Sequence, residues 1–194
     1  FELSAQKCVA LTFDDGPNTT ITPKVLEKLE KYNVVASFFV VGDSIGEESA
    51  KVMKRASDMG CDIENHSKTH QQMSRLTEDE LKKEISFTTE KIESITNKKV
   101  KFFRPPYINI NELMFNTIDL TFICGKGAND WVKEVTSEQR AKTIIDTIVD
   151  GDVILLHDFE GNWATVYALD VIIPTLKERG YKFVTITDLF KAKN

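Results

Sequence analysis

Cysteine is scarce in this 194-residue chain: Cys8, Cys61 and Cys124 are three in number, far apart and without a CxxC pair. That excludes a disulfide framework and a zinc-finger pattern. Cys8 and Cys124 stand in or beside apolar, strand-like runs, where a thiol is expected to be buried and to pack as a small hydrophobe. Long apolar runs are missing as well. None approaches the roughly 18–20 residues needed to cross a bilayer, and no basic-then-apolar leader stands at the start. The chain opens at Phe1 instead of Met and reads as a mature or excised form. Excess positive charge is also absent, and a net charge of −5 argues against nucleic acid or an anionic membrane as a partner. No repeat, low-complexity segment or linker breaks the chain, so residues 1–194 read as one domain.

What is present is a strand-then-helix rhythm. Strands are expected over Lys7–Asp14, Val34–Val41, Cys61–Glu64, Val100–Phe103, Leu120–Cys124, Val153–Leu156 and Phe183–Ile186. Between them, helices are expected from Thr22-Pro23 to Tyr32, from Ser44 to Met59 before Gly60, and from the Thr77–Glu80 capping box to Ile95. Others follow over Asn111–Thr117, from the Thr136–Gln139 capping box to Val149, over Thr165–Arg179 with Pro174 bending or shortening it, and as a turn over Asp188–Ala192. Such alternation implies parallel βαβ units, in a barrel or an open doubly wound sheet. The unusual polar residues all follow strands, and several different ones, which favours a barrel with its site on one face. The chain is short for eight full units, so a reduced or distorted barrel is expected.

Val9–Phe13 delivers two adjacent carboxylates, Asp14 and Asp15, to a turn forced by Gly16-Pro17. Neighbouring like charges at a strand end are costly unless a cation or a reaction uses them; a plain polar turn is the competing reading. Histidine occurs only three times. His66 and His70 are spaced i, i+4, and two imidazoles with one carboxylate suit zinc or another borderline divalent ion, leaving positions for water and substrate. Structural or surface histidines are the alternative. His157 leaves an apolar run and is either a proton donor near neutral pH or a satisfied core residue. Asp130 either orients that imidazole or is a loop acid. Arg104, before two prolines, either pairs bidentately with a carboxylate such as Asp14 or makes a surface ion pair. Trp131 and Trp163 offer indole faces to pyranose C–H groups, with core packing as the competing role.

Thr12–Pro17, Asn65–His70, Arg104–Tyr107, Asp130-Trp131 and Leu155–Asp158, in this order, resemble the five motifs of the polysaccharide deacetylases, carbohydrate esterase family 4. The resemblance implies a distorted, reduced (β/α) barrel of the NodB-homology type and a metal-dependent deacetylase. By position it implies Asp15, His66 and His70 as ligands of one divalent ion, zinc or cobalt first, nickel or others also accepted. Asp14 would be the base that deprotonates the metal-bound water, steered by Arg104. His157, tuned by Asp130, would protonate the leaving group. The Tyr107 N–H would stabilise the oxyanion, and Trp131 and Leu155 would line the acetyl pocket. Two departures fall outside the ion-binding motifs: Ile108 follows Tyr107 where Gly is usual, and Phe122–Asn129 lacks a tryptophan many members carry. The Ile-Cys-Gly run looks more like the bacterial acetylxylan esterases. The expected activity is removal of O-acetyl groups from xylan or xylo-oligosaccharides by a secreted monomer, as one module of a larger bacterial enzyme. N-deacetylation of chitin oligomers or peptidoglycan is the alternative, followed by an inactive carbohydrate-binding domain. An amidohydrolase of small nitrogen compounds would need a sealed pocket.

Overall fold

β1 (Lys7–Asp14) is the spine of the fold. The structure, a computed structural model, describes residues 6–193. Val9, Leu11 and Phe13 face the helices and join the main core, while Cys8 and Ala10 join a smaller cluster with Phe39, Phe102 and Val184. This is the period-two alternation of a strand buried on both faces. All pairings are parallel: β6 (Val153–His157) lies along Ala10–Asp14, β2 (Ser37–Val40) along Thr12–Asp14 and β7 (Tyr181–Val184) along Lys7–Ala10. From β2 the sheet continues through β3 (Asp62–Asn65), β4 (Phe102–Phe103) and β5 (Thr121–Phe122).

The sheet curls around the smaller cluster, and the chain after β5 bridges its two edges. The Ile123 N–H donates to the Phe103 carbonyl at 3.0 Å, and the Lys126 N–H donates to that of Val153 at 2.8 Å. Such an approach needs a glycine at position 125, where a Cβ would stand 2.9 Å from Leu155 Cβ and 3.0 Å from the Val153 oxygen. The outcome is the distorted, reduced (β/α) barrel expected from the sequence.

Around it pack α1 (Ile21–Tyr32), α2 (Glu47–Asp58), α3 (Glu78–Thr96), α4 (Glu112–Thr117), α5 (Ser137–Thr147), α6 (Trp163–Glu178) and α7 (Ile186–Lys193). Both capping boxes form: the Thr77 N–H donates to Glu80 at 2.8 Å, and the Thr136 N–H to Gln139 at 2.9 Å. Several elements differ from expectation for local reasons. Asn33, left-handed at φ 51°, ends α1, and the Val34 N–H donates to Leu29, so β2 starts only at Ser37. Gly42–Ser44 form a 3₁₀ turn, which delays α2 to Glu47. The Cys61 N–H closes the end of α2 on Ala56, moving β3 on to Asp62. β4 is cut short because the Glu64 carboxylate takes the N–H groups of Lys101 and Phe102, both at 2.9 Å. Ile186 opens α7 instead of ending β7. Pro174 does not shorten α6, which runs on to Glu178. An interior proline costs about 3 kcal/mol, and burying Val166, Leu169, Ile172, Ile173 and Leu176 at about 1.5–3 kcal/mol each outweighs it. Cys124 is exposed, contrary to expectation, because the bridge after β5 runs along the surface.

Candidate metal centre and active-site cleft

Four of the five motifs sit at the carboxyl end of a strand or just beyond it, and Asp130-Trp131 stands on the loop eight residues after β5. β1 ends at Asp14, and Asp15 turns the chain in a left-handed conformation at φ 81°. The turn is held from behind by the buried Asp158 carboxylate, which accepts the Gly16 N–H at 3.1 Å and the Thr22 hydroxyl at 2.5 Å. A Cβ at position 16 would lie 2.5 Å from that carboxylate. After β3, Ser67 and His70 are also left-handed, at φ 69° and 59°, and the Ser67 hydroxyl accepts the His70 N–H at 3.0 Å. The two imidazoles therefore meet through a tight loop and not along a helical turn.

Asp15 Oδ1 lies 3.3 Å from His66 Nε2 and 3.1 Å from His70 Nε2. His66 Nδ1 is 2.6 Å from the Arg104 carbonyl, which only accepts, so the proton sits on Nδ1 and the Nε2 lone pair faces the aspartate. Asp15 Oδ1 is buried and has no hydrogen-bond partner among the described residues. Three acceptors aimed at one point repel unless a positive charge joins them, either protons on the imidazoles or a shared cation. Burial pushes the Asp15 carboxyl up, and protons on Nε2 of both imidazoles, the first of those two ways, would more than reverse this and hold it well below the ordinary carboxylate range. One oxygen and two nitrogens within 4.8 Å of one another fit a divalent ion of the borderline class.

Asp14 points one oxygen each way. Oδ1 accepts from Arg104 Nη1 at 2.6 Å, and Oδ2 faces the ion site, 3.8 Å from His66 Nε2. Arg104 is fully buried, so it is no surface pair. Nor does it grip Asp14 bidentately. Its Nη1 also donates to Thr12 Oγ1 at 2.8 Å, its Nη2 reaches the Cys124 carbonyl at 3.3 Å, and its plane lies 4.1 Å over the Phe39 ring.

Across the cleft, His157 Nδ1 is 2.7 Å from Asp130 Oδ1, and the His157 N–H donates to Oδ2 at 2.8 Å. Burial works against the imidazolium, but Asp130, with the charges of Asp14 and Asp15, raises His157 to about 9. Asp130 is itself held by the Thr165 hydroxyl at 2.8 Å, and buried Arg140 donates to Thr165 and Asn162. The sequence reading did not find Thr165, Asn162, Arg140 or a role for Asp158. The only trace of the first pair is Asn162 and Thr165 three apart at a helix start, which by itself reads as a cap.

Asp14, Asp15, His66, His70, Tyr107, Trp131, Leu155 and His157 line one cavity of about 580 Å³. Tyr107 and Trp131 stand on its rim, 69% and 56% exposed, so the site is an open groove. Ile108 and the Gly125–Asn129 run, where the chain departs from the family pattern, border it too. Trp163 does not line it.

The family model described as polysaccharide deacetylase matches residues 3–141. A bifunctional xylanase/deacetylase of Pseudobutyrivibrio xylanivorans is 46% identical over 188 residues, covering 97% of this chain and 31% of that protein. A solved family 4 acetyl xylan esterase of Clostridium thermocellum, in complex with a cobalt ion, is 46% identical with a TM-score of 0.94, over 96% of this chain and 92% of that one. A peptidoglycan-N-acetylglucosamine deacetylase of Bacillus cereus is 37% identical, over 94% of this chain and 68% of that protein. The chain thus spans about a third of the length of the xylanase/deacetylase.

Proposed function

The chain belongs to the polysaccharide deacetylase family, and from that membership we propose that it hydrolyses O-acetyl esters on xylan or xylo-oligosaccharides. The carrying observation is that Asp14 Oδ2, the Asp15–His66–His70 cluster and His157 face one open groove. A divalent ion held by Asp15, His66 and His70, zinc or cobalt first, supplies a Lewis acid that eases loss of a proton from water and polarises the acetyl carbonyl.

Arg104 fixes Asp14 through Oδ1 and leaves Oδ2 to take the proton of the attacking water. The Tyr107 N–H, on the turn beside the groove, donates to the carbonyl oxygen as negative charge develops there. Asp130 keeps His157 protonated on Nδ1 and favours the imidazolium, so Nε2 carries a proton for the departing sugar oxygen. Leu155 and Trp131 enclose the acetyl methyl group. The products are acetate and a free sugar hydroxyl, and the proton taken by Asp14 balances the one His157 gives.

An open groove with exposed Tyr107 and Trp131 suits a chain-like substrate and disfavours a small sealed-in amide. Relatives named for xylan at 46% identity support the xylan reading over peptidoglycan. The longer bifunctional xylanase/deacetylase also supports a reading of this chain as one module of a secreted enzyme. The test is acetate release from acetylated xylan against chitin oligomers, with and without added metal. Acetate from xylan and its loss in Asp14→Ala are expected; turnover of the amino-sugar substrates alone overturns the reading.

A further inference from the structure

The sequence put forward two tryptophans, and the groove uses one. Trp163 opens α6, one residue after Asn162, whose side chain donates to the His157 carbonyl at 2.9 Å. The first turn of α6 therefore begins beside the residue assigned as proton donor, on the face that carries the groove. Trp163 is 40% exposed, and Tyr167, one helical turn on, is 58% exposed. Their ring planes lie within 27° of parallel with centroids 6.3 Å apart, a loosely stacked aromatic pair. Val171, 48% exposed, extends the stripe by another turn. The nearby Asp170 carboxylate is held by Lys28, Lys31 and Tyr32 on α1, so the stripe itself, Trp163, Tyr167 and Val171, carries no ionised side chain.

An exposed tryptophan, tyrosine and valine in one stripe form a contiguous apolar patch, the kind of surface that marks a binding site. Three observations choose the occupant. The stripe is uncharged, as a xylan backbone is. Its aromatic rings present the electron-rich faces that C–H groups of a pyranose seek. It also continues from the groove, because Trp131, His157 and Phe159 form successive ring contacts at 5.7 and 6.1 Å up to the loop that leads into α6.

We propose that Trp163 and Tyr167 form a second carbohydrate-binding platform, which holds a stretch of neutral polysaccharide away from the acetyl group being removed. This rests on the polysaccharide substrate proposed above. The platform raises the time a polymer spends near the groove and does nothing for a small ester.

The test is native gel electrophoresis of the intact chain through gels containing deacetylated xylan, with sedimentation, thermal melting and 4-nitrophenyl acetate hydrolysis in parallel. The wild type is expected to be retarded. Trp163→Ala and Tyr167→Ala each weaken that binding by roughly three- to tenfold, the value of one aromatic stack, and Trp163→Phe keeps most of it. Small-ester turnover and the melting midpoint stay as in the wild type, which separates binding from folding. Equal retardation of wild type and both alanine variants, or none for any of them, overturns the platform. So does a wild-type dimer that Tyr167→Ala dissolves while xylan has no effect, since the stripe is then a protein contact. Because the gel polymer carries no acetyl groups, retardation is read independently of the reaction. Retardation without acetate release from acetylated xylan keeps the platform and overturns the proposed activity instead.

Discussion

Asp14 and Asp15 are adjacent in sequence, yet the left-handed turn at Asp15 sends their carboxylates to different partners. Asp14 is tied to Arg104, and Asp15 to the imidazoles. Asp14→Asn is therefore expected to lower kcat by about 10²–10⁴-fold, the range for a lost general base, while metal content by elemental analysis stays near one ion per chain. His66→Ala should lose the ion as well. Asp130→Asn removes the charge that lifts His157 to about 9. Burial then dominates, so the alkaline limb of the kcat/KM profile is expected to move to lower pH. Ile108 is a second residue-scale case, a β-branched side chain held left-handed at φ 51°. Such a conformation costs about 1–3 kcal/mol, against roughly 0.5–1 kcal/mol of extra chain entropy for glycine. Ile108→Gly is expected to raise stability by about 1 kcal/mol, read as the denaturant midpoint. The strain could not be seen in the sequence, where Ile108 was only a residue out of pattern. Thr165 and Arg140 were equally hidden, since what they do depends on Asp130 lying 2.8 Å from the Thr165 hydroxyl across 35 positions of chain.

At the scale of elements, existence and order were legible while lengths were not. β1 coincides with its expected span because its continuous apolar run and the acids that stop it are both local. β4 was expected from Val100, but the N–H groups of Lys101 and Phe102 belong to Glu64, a residue 37 and 38 positions away. Apolar pattern cannot report a side chain that competes for a ladder. Gly125 and Gly127 interrupt the bridge after β5 and let it approach β6 and join the sheet edges. Gly125→Ala tests this. With a Cβ 2.9 Å from Leu155 Cβ and 3.0 Å from a backbone oxygen, the overpacking is expected to cost about 1–3 kcal/mol. Leu155 lines the groove, so the substitution should also raise KM for acetylated xylan, a pairing that urea titration and steady-state kinetics would show together.

For the whole molecule, three buried groups give stability the same dependence on pH. Burial pushes Glu64 up to about 8 from 4.5 despite the two N–H groups it accepts. Burial, with the charges of Asp15 and Asp14, pushes Asp158 up to about 7 from 3.8 against its bonds from Thr22 and Gly16. His157 opposes its own burial through Asp130 and rises to about 9 from 6.5. Each group keeps its proton in the folded chain at pH values where the unfolded chain has released it. The folded state then binds more protons than the unfolded one, so unfolding free energy falls as pH rises across these intervals. Asp170, lowered to about 2 by its bonds from Lys28, Lys31 and Tyr32 in spite of some burial, acts in the opposite sense and only below pH 3.8. Chelator-treated protein is therefore expected to melt highest near about pH 4 and progressively lower toward about pH 9. Glu64 lines a separate cavity with Lys98, Lys101 and Thr187 and does not line the groove, and its neutral isostere still accepts both N–H groups. Glu64→Gln should accordingly flatten the decline between pH 4.5 and about 8 without altering metal affinity. Adding the divalent ion raises the melting midpoint by mass action, since only the folded chain assembles Asp15, His66 and His70. A melting curve that climbs steadily from about pH 5 to about pH 9 would mean that these carboxyls are ionised in the folded core at little cost.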